Sequence, residues 1–269
     1  MKKILLAAGL VLLAVIAWRF VHPPYKAFKI FSQALIESRT ILEYLPDAYA
    51  SSGRTYPVLV HLDADPRPSS YGPSFYDIAK NVNALGPLVP PMIVLGVTNT
   101  KRNRDMLPLP VEGMPGSGKA GDFLRFLSEE LIPEVKQRYR TSEFRILYGR
   151  SDSGLFALYA LTEAPEAFEA VIVSSPSLGY HPADMSGRLG RLFRERPDLS
   201  KTLFFIYGAD EGAVHSGRVP EFADLIRWAA SDRFRLGVKS VPGGGHIPKS
   251  SLEEGLRFVF STGRAERIP

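Results

Sequence analysis

Six short runs, almost unbroken in apolar residues, constrain this chain most. They are "YPVLVHL" (56–62), "MIVLGVT" (92–98), "FRILYG" (144–149), "AVIVSS" (170–175), "TLFFIYG" (202–208) and "RLGVKSV" (235–241). A strand with one wet face alternates apolar and polar residues. A run that is apolar at both sets of alternate positions must be covered on both faces, as central strands of a parallel sheet are. "TILEYL" (40–45) is predicted as an edge strand. Between the runs the apolar spacing changes to three and four. In "DFLRFLSEELIPEVKQRYR" (122–140) Phe123, Phe126, Leu127, Leu131 and Val135 make one helical stripe. Asp122 is suited to cap that helix, and Pro133 to kink or split it. Alternating strands and helices predict an α/β fold, a mostly parallel doubly wound sheet flanked by helices. With 269 residues, one large domain is expected, placed at 38–269 after a connector at 23–37. In such sheets ligands gather beyond the carboxyl ends of the strands, which is where chemistry is to be sought.

The clearest such place is "LYGRSDSGLFALYAL" (147–161). Ser151 lies two residues past a strand, with a helix starting directly behind it. A nucleophile elbow has this strand, sharp turn, helix order, and small residues must flank the serine. Gly149 is one. The second position, commonly glycine, is Ser153, which is small and is followed by Gly154. Of the five histidines, only His246 lies in a glycine-rich loop after a late strand, in "VPGGGHIPKS". Between the two, "FFIYGADEG" places Asp210 and Glu211 just past a strand, and either can orient an imidazole. The order serine, acid, histidine is that of α/β hydrolases, not of chymotrypsin or subtilisin.

The first residues carry a different signal. Lys2 and Lys3 precede fifteen apolar residues from Ile4 to Trp18. That length suits a signal-peptide core and falls short of the roughly 20 residues of a spanning helix. Residues 1–22 are therefore expected to be a signal peptide, with Val15 and Ala17 as an imperfect small pair before the cut, or an uncleaved anchor. Either places the rest of the chain across the membrane, periplasmic, secreted or tethered. Three of the 33 basic residues flank this run, so the others nearly balance the 28 acidic ones. Nucleic-acid binding is not expected from so small an excess. There is no cysteine, which excludes disulfides and thiol catalysis and fits export.

Several segments together resemble one family, the esterase D-like and enterochelin esterase-like branch of the α/β hydrolases, to which feruloyl esterase-like proteins and mycolyltransferases are related. "YPVLVHLDAD" resembles the family's "YPVLYLLDGD", "VTNTKRNRDMLP" its "NTxRxRDxTP", "GRSDSGLFALYAL" its "GHSxGGLFALYAL", and "SSPSLGY" its "SPSLWW". The resemblance covers about residues 38–262. It implies an α/β-hydrolase fold with Ser151 as nucleophile, His246 as base and Glu211 as acid, Asp210 being the alternative. The chain departs from the pattern at Ala64, Ser153 and Gly179. Such a site needs two N–H donors for the oxyanion. One is expected from Asp152 and the other from Ala64 or Asp65, in the loop after the first central strand. Arg102, Arg104 and Tyr180 are candidate substrate contacts.

Two decoys are set aside. "GMPGSGKA" (113–120) lacks the final hydroxyl of a phosphate loop and follows no strand. His61, Asp63 and Asp65 alternate as metal ligands could, but the resembling family has the same stretch without a metal, and neither metal nor cofactor is expected. The sequence thus points to a serine carboxylic-ester hydrolase acting on a small molecule, for example a siderophore ester or lactone. An acyltransferase and a non-catalytic binding protein are the alternatives.

Overall fold

The structure, a computed structural model, describes residues 26–68, 73–212 and 215–261. Eight strands form one sheet: β1 Lys26–Ser32, β2 Glu37–Tyr44, β3 Tyr56–His61, β4 Ile93–Val97, β5 Thr141–Arg150, β6 Ala170–Ser174, β7 Thr202–Gly208 and β8 Arg235–Val241. Their order in space is β1-β2-β4-β3-β5-β6-β7-β8. β1 pairs with β2, and β2 with β4, antiparallel; the other neighbours are all parallel.

The expected strand positions hold to within a few residues, with two corrections at the near edge and one at the far edge, where β8, expected to be covered on both faces, is outermost and buries only Gly237. Residues 26–32, expected to be part of a connector, form β1. β2 is therefore covered on both sides and is not the edge. Along β1 only Phe28, Ile30 and Ser32 turn inward, while Ala27, Lys29 and Phe31 are exposed. So weak an alternation is what an outermost strand needs and no more.

The central runs divide their side chains between two cores, because successive strand residues point to opposite faces. Val60, Leu95, Leu147, Val173 and Phe205 meet Phe123, Phe156, Leu189 and Phe222 on one face. Leu59, Val94, Ile146, Ile172 and Phe204 meet Phe75, Ala79, Leu256 and Val259 on the other. The first face is covered by the helical stretch 120–138 and the helices Asp152–Glu163, Pro182–Glu195 and Val219–Ala229; the second by Phe75–Asn83 and Ser251–Phe260.

Pro133 splits its helix as expected. An α-helix Ala120–Arg125 passes through a π-helical turn Phe126–Leu131 into a second α-helix, Ile132–Arg138, with the proline in its first turn. A proline there has no N–H to offer the preceding turn, and the wider turn absorbs the mismatch. Asp122 sits in the first turn rather than at the cap, where its charge still favours the helix N-terminus.

β2 is bolted to this layer by charge. Arg39, fully buried, lies 5.0 Å from the Phe123 ring centroid and donates to Asp105 Oδ2 at 2.6 Å, Thr100 Oγ1 at 2.7 Å and the Thr98 carbonyl at 2.9 Å. Arg104 clasps Glu37 with two N–H groups and reaches Asp105 with a third. Hydrogen bonding from Arg104 holds the Glu37 carboxyl down at about 2, against the opposing effect of burial.

Candidate active site

β5 ends in a sharp turn at Ser151. Ser151 has φ 54° and ψ −121°, a conformation that costs a non-glycine residue energy. A Cβ at Gly149 would lie 2.0 Å from the Ser153 carbonyl oxygen, so glycine is obligatory there. Ser153, fully buried, does more than fit. Its Oγ accepts from the Arg150 N–H and donates to the Arg150 carbonyl, both at 2.8 Å. The hydroxyl that replaces the usual glycine therefore stitches the turn together. The Ser151 N–H is tied across to the Ser174 carbonyl at 2.9 Å, and the Ser151 carbonyl receives Ser177 N at 3.1 Å and Leu155 N at 3.0 Å.

The loop after β6 links this turn to the acid and the histidine. Ser175, at φ 44°, donates its hydroxyl to Glu211 Oε1 at 2.5 Å and accepts from Ile247 N at 3.2 Å. Gly208 N–H donates to the same Glu211 oxygen at 2.8 Å. The other oxygen, Oε2, lies 2.8 Å from His246 Nδ1. A carboxylate only accepts, so Nδ1 carries the hydrogen and Nε2 is left with a free lone pair. Asp210, by contrast, is exposed at the surface. Gly208 also lets the histidine loop lie on the end of β7, since a Cβ there would stand 2.2 Å from the Gly245 carbonyl oxygen. Among the described residues, six non-glycine residues have positive φ. All but Ile36 (Asp63, Ser151, Ser175, His181 and Ile247) belong to loops at the carboxyl edge of the sheet. Strain of this kind persists where the surroundings over-determine it.

Ser151 Oγ has Ser177 Oγ as its neighbour, 3.4 Å away, rather than His246. Ser177 was not among the expected site residues. Its hydroxyl donates to Asp152 Oδ1 at 2.6 Å, so only its lone pairs face Ser151. The His246 ring packs instead against the His215 ring, with centroids 4.5 Å apart. The "SPSL" motif that carries Ser177 was the available signal, but no spacing rule links it to the turn at 151.

The oxyanion donors divide. The Ala64 N–H is already given to the Val97 carbonyl at 3.1 Å, which corrects the expectation for that residue. Nothing among the described residues accepts from the Asp65 or Asp152 N–H. Arg102 stands beside the turn but does not reach out. Its Nε and Nη2 hold both oxygens of Asp63 at 3.0 Å, and its Nη1 pairs with Asp152 Oδ2. Burial alone would raise the Asp63 carboxyl; Arg102, with Asn99, outweighs it and holds the carboxyl below its ordinary value. Arg104 belongs to the Glu37–Asp105 network described above and is not brought to the serine. Tyr180 follows the Ser177 loop and lines a small groove with Leu107, Leu155 and Met185, its hydroxyl pushed up by burial and by the charge of Asp152.

The three alternating residues at 61, 63 and 65 do not converge on an ion. His61 stacks on Tyr148, Asp63 holds Arg102, and Asp65 Oδ1 accepts from Arg67 N at 3.0 Å. The loop 113–120 takes left-handed turns at Gly113, Gly116 and Gly118 and follows no strand.

The sheet order and the sharp strand-to-helix turn at Ser151 are those of an α/β-hydrolase fold. The profile of the "Putative esterase" family matches residues 32–235, and the chain belongs to that family. Ferri-bacillibactin esterase BesA of Bacillus subtilis is 38% identical over 68 residues, 25% of this chain and 24% of BesA. The aligned stretches span no more than a third of the curated relatives' length. Among solved structures, an IroE-like serine hydrolase from Shewanella oneidensis superposes with a TM-score of 0.74 at 26% identity, covering 88% of this chain and 80% of that one. The siderophore hydrolase EstB of Aspergillus nidulans has a TM-score of 0.71 at 20% identity, covering 92% and 98%, and shares the fold.

Proposed function

We propose that this protein is a serine carboxylic-ester hydrolase in which Ser151 is the nucleophile, His246 the base and Glu211 the acid. The observation that carries this reading is the Glu211–His246 hydrogen bond of 2.8 Å, one loop away from a strained serine at the end of β5. With Nδ1–H held by Glu211, His246 Nε2 takes the Ser151 proton as Oγ attacks the ester carbonyl. Glu211 then stabilises the imidazolium. The Asp152 and Asp65 N–H groups face the developing oxyanion. Losing one such donor costs about 10²–10³ in rate. The leaving alcohol takes the proton from His246, and water releases the acyl group through the same histidine. Catalytic hydrogen bonds commonly tighten only when substrate binds, so the Ser177 contact of the resting serine is compatible with this route.

The substrate is a small-molecule ester. Siderophore ester or lactone bonds are the favoured class because two of the similar proteins are named as a ferri-bacillibactin esterase and a siderophore hydrolase; simple acyl esters use the same machinery. No cofactor, metal or nucleic acid enters the reaction. The run from Ile4 to Trp18 lies outside the described residues, and we read it as the leader or tether that takes the domain across a membrane. Among the described residues no helix is long and apolar enough to span one.

The test is hydrolysis of p-nitrophenyl butyrate, with fluorophosphonate labelling, by the unmutated protein and by Ser151→Ala. Turnover and labelling are expected in the first and absent in the second. A folded, unmutated protein that does neither overturns the reading in favour of a binding role. Labelling with product formed only when an alcohol acceptor is present makes it an acyltransferase.

A further inference from the structure

We propose that Arg102 works inside the site as the counter-ion of Asp152, and that the site accordingly takes uncharged acyl esters in preference to anionic ones. This deepens the hydrolase reading and rests on it. A partly exposed arginine after a strand end invites the view that it grips an anionic substrate. Its geometry argues otherwise. Each of the three guanidinium nitrogens already donates one N–H, Nε and Nη2 to Asp63 and Nη1 to Asp152, and the N–H groups left on Nη1 and Nη2 belong to a charge already matched by both carboxylates. The arginine side chain is 35% exposed, and its partners 10% and 12%. A substrate anion would have to compete with two carboxylates already in place.

Asp152 makes the arrangement necessary. It follows the nucleophile, and its N–H is one of the two oxyanion donors. Its carboxylate is one hydrogen bond from Ser177, whose oxygen is 3.4 Å from Ser151 Oγ. An uncompensated negative charge there would oppose the negative charge that develops on the carbonyl oxygen. Arg102, paired with Asp152 Oδ2, removes that opposition. Two carboxylates against one guanidinium leave the group with no positive surplus. Arg150, whose Nη2 donates to the Asp63 carbonyl at 3.4 Å, brings it only to balance. The groups around the nucleophile thus offer a carboxylate on the acyl chain no net attraction.

The experiment compares kcat and KM for p-nitrophenyl butyrate, which is neutral, and mono-p-nitrophenyl succinate, which is anionic and of similar length. The proteins are the unmutated chain, Arg102→Gln, Asp152→Asn and the double variant. The unmutated protein is expected to favour the butyrate. Arg102→Gln is expected to lower kcat for both esters, on the order of 10²-fold. Adding Asp152→Asn is expected to recover most of that loss. Asp152→Asn alone is expected to shift kcat/KM toward the succinate by about tenfold, because it leaves Arg102 a free N–H fork for a carboxylate. A rise in KM for the succinate alone in Arg102→Gln overturns the proposal and makes Arg102 a substrate anchor. A double variant no better than Arg102→Gln overturns it as well. If Arg102→Gln does not fold, Asp152→Asn decides: unchanged preference between the esters refutes the counter-ion. These outcomes are read in an active protein. Absence of turnover and labelling in the unmutated protein instead removes the hydrolase reading, and this proposal with it.

Discussion

His61 ends β3 with neither ring nitrogen hydrogen-bonded among the described residues, its ring 5.3 Å from that of Tyr148. Complete burial, helped by the charge of Arg150, holds its pKa at about 3. The unfolded chain takes up the proton near 6.5 and the folded one does not. Stability is therefore intact above pH 6.5 and falls as the pH drops toward 3, by up to about 1.4 kcal/mol per unit. His61→Phe keeps a ring against Tyr148 and removes the titration. Thermal unfolding between pH 7 and 4.5 is expected to show a shallower decline for the variant, and equal slopes would refute the account. The same economy of space governs the turn at 151. Gly149 is fixed by the 2.0 Å approach of a carbonyl, whereas Ser153 is tolerated because its hydroxyl closes onto the backbone of Arg150. A motif read by residue type flags Ser153 as a defect; read by hydrogen-bonding capacity, it is a clasp.

The β1–β2 hairpin joins the sheet through antiparallel pairing with β4 and through the ion pairs of Arg39 and Arg104. Arg104→Ala leaves Asp105, fully buried, and Glu37 short of a partner, and is expected to cost about 3 kcal/mol. Chemical denaturation checks this, and because Arg104 is held by Glu37 and Asp105 and not by the turn at Ser151, kcat on a neutral ester is expected to change far less than stability. The central strands were legible in the sequence because burial on both faces writes itself as unbroken apolar runs. β1 was not, since an outermost strand with one half-buried face needs only Phe28 and Ile30. The candidates Ser151, His246 and the acid pair were legible because each lies in a loop at the carboxyl end of a strand. The choice of Glu211 over Asp210 came from resemblance, and contacts to Ser175, Gly208 and His246 now support it. Two features had no sequence signature: the commitment of the Ala64 amide to Val97, and the Ser177–Asp152–Arg102 chain. Both depend on how separate loops pack, which spacing along a chain does not encode.

Taken whole, the described residues form one eight-stranded sheet with helices on both faces. If residues 1–22 direct export, the full-length protein is expected in the periplasmic, secreted or membrane fraction, and a chain starting at residue 23 in the cytosol. Fractionation with immunoblotting compares the two, and equal distribution would refute the leader. The ends of four consecutive strands make the site: β5 brings Ser151, β6 Ser175, β7 Glu211 and β8 the His246 loop. A nascent chain emerges from its N-terminus, so the serine leaves the ribosome almost a hundred residues before the histidine. On the proposed roles, Ser151 has no base until the last two strands have docked, and is until then an ordinary alcohol. If the chain is held unfolded for passage through a membrane, it is catalytically silent in the compartment where it is made. On that reading activity begins where folding ends, and the wiring of the sheet itself supplies the delay.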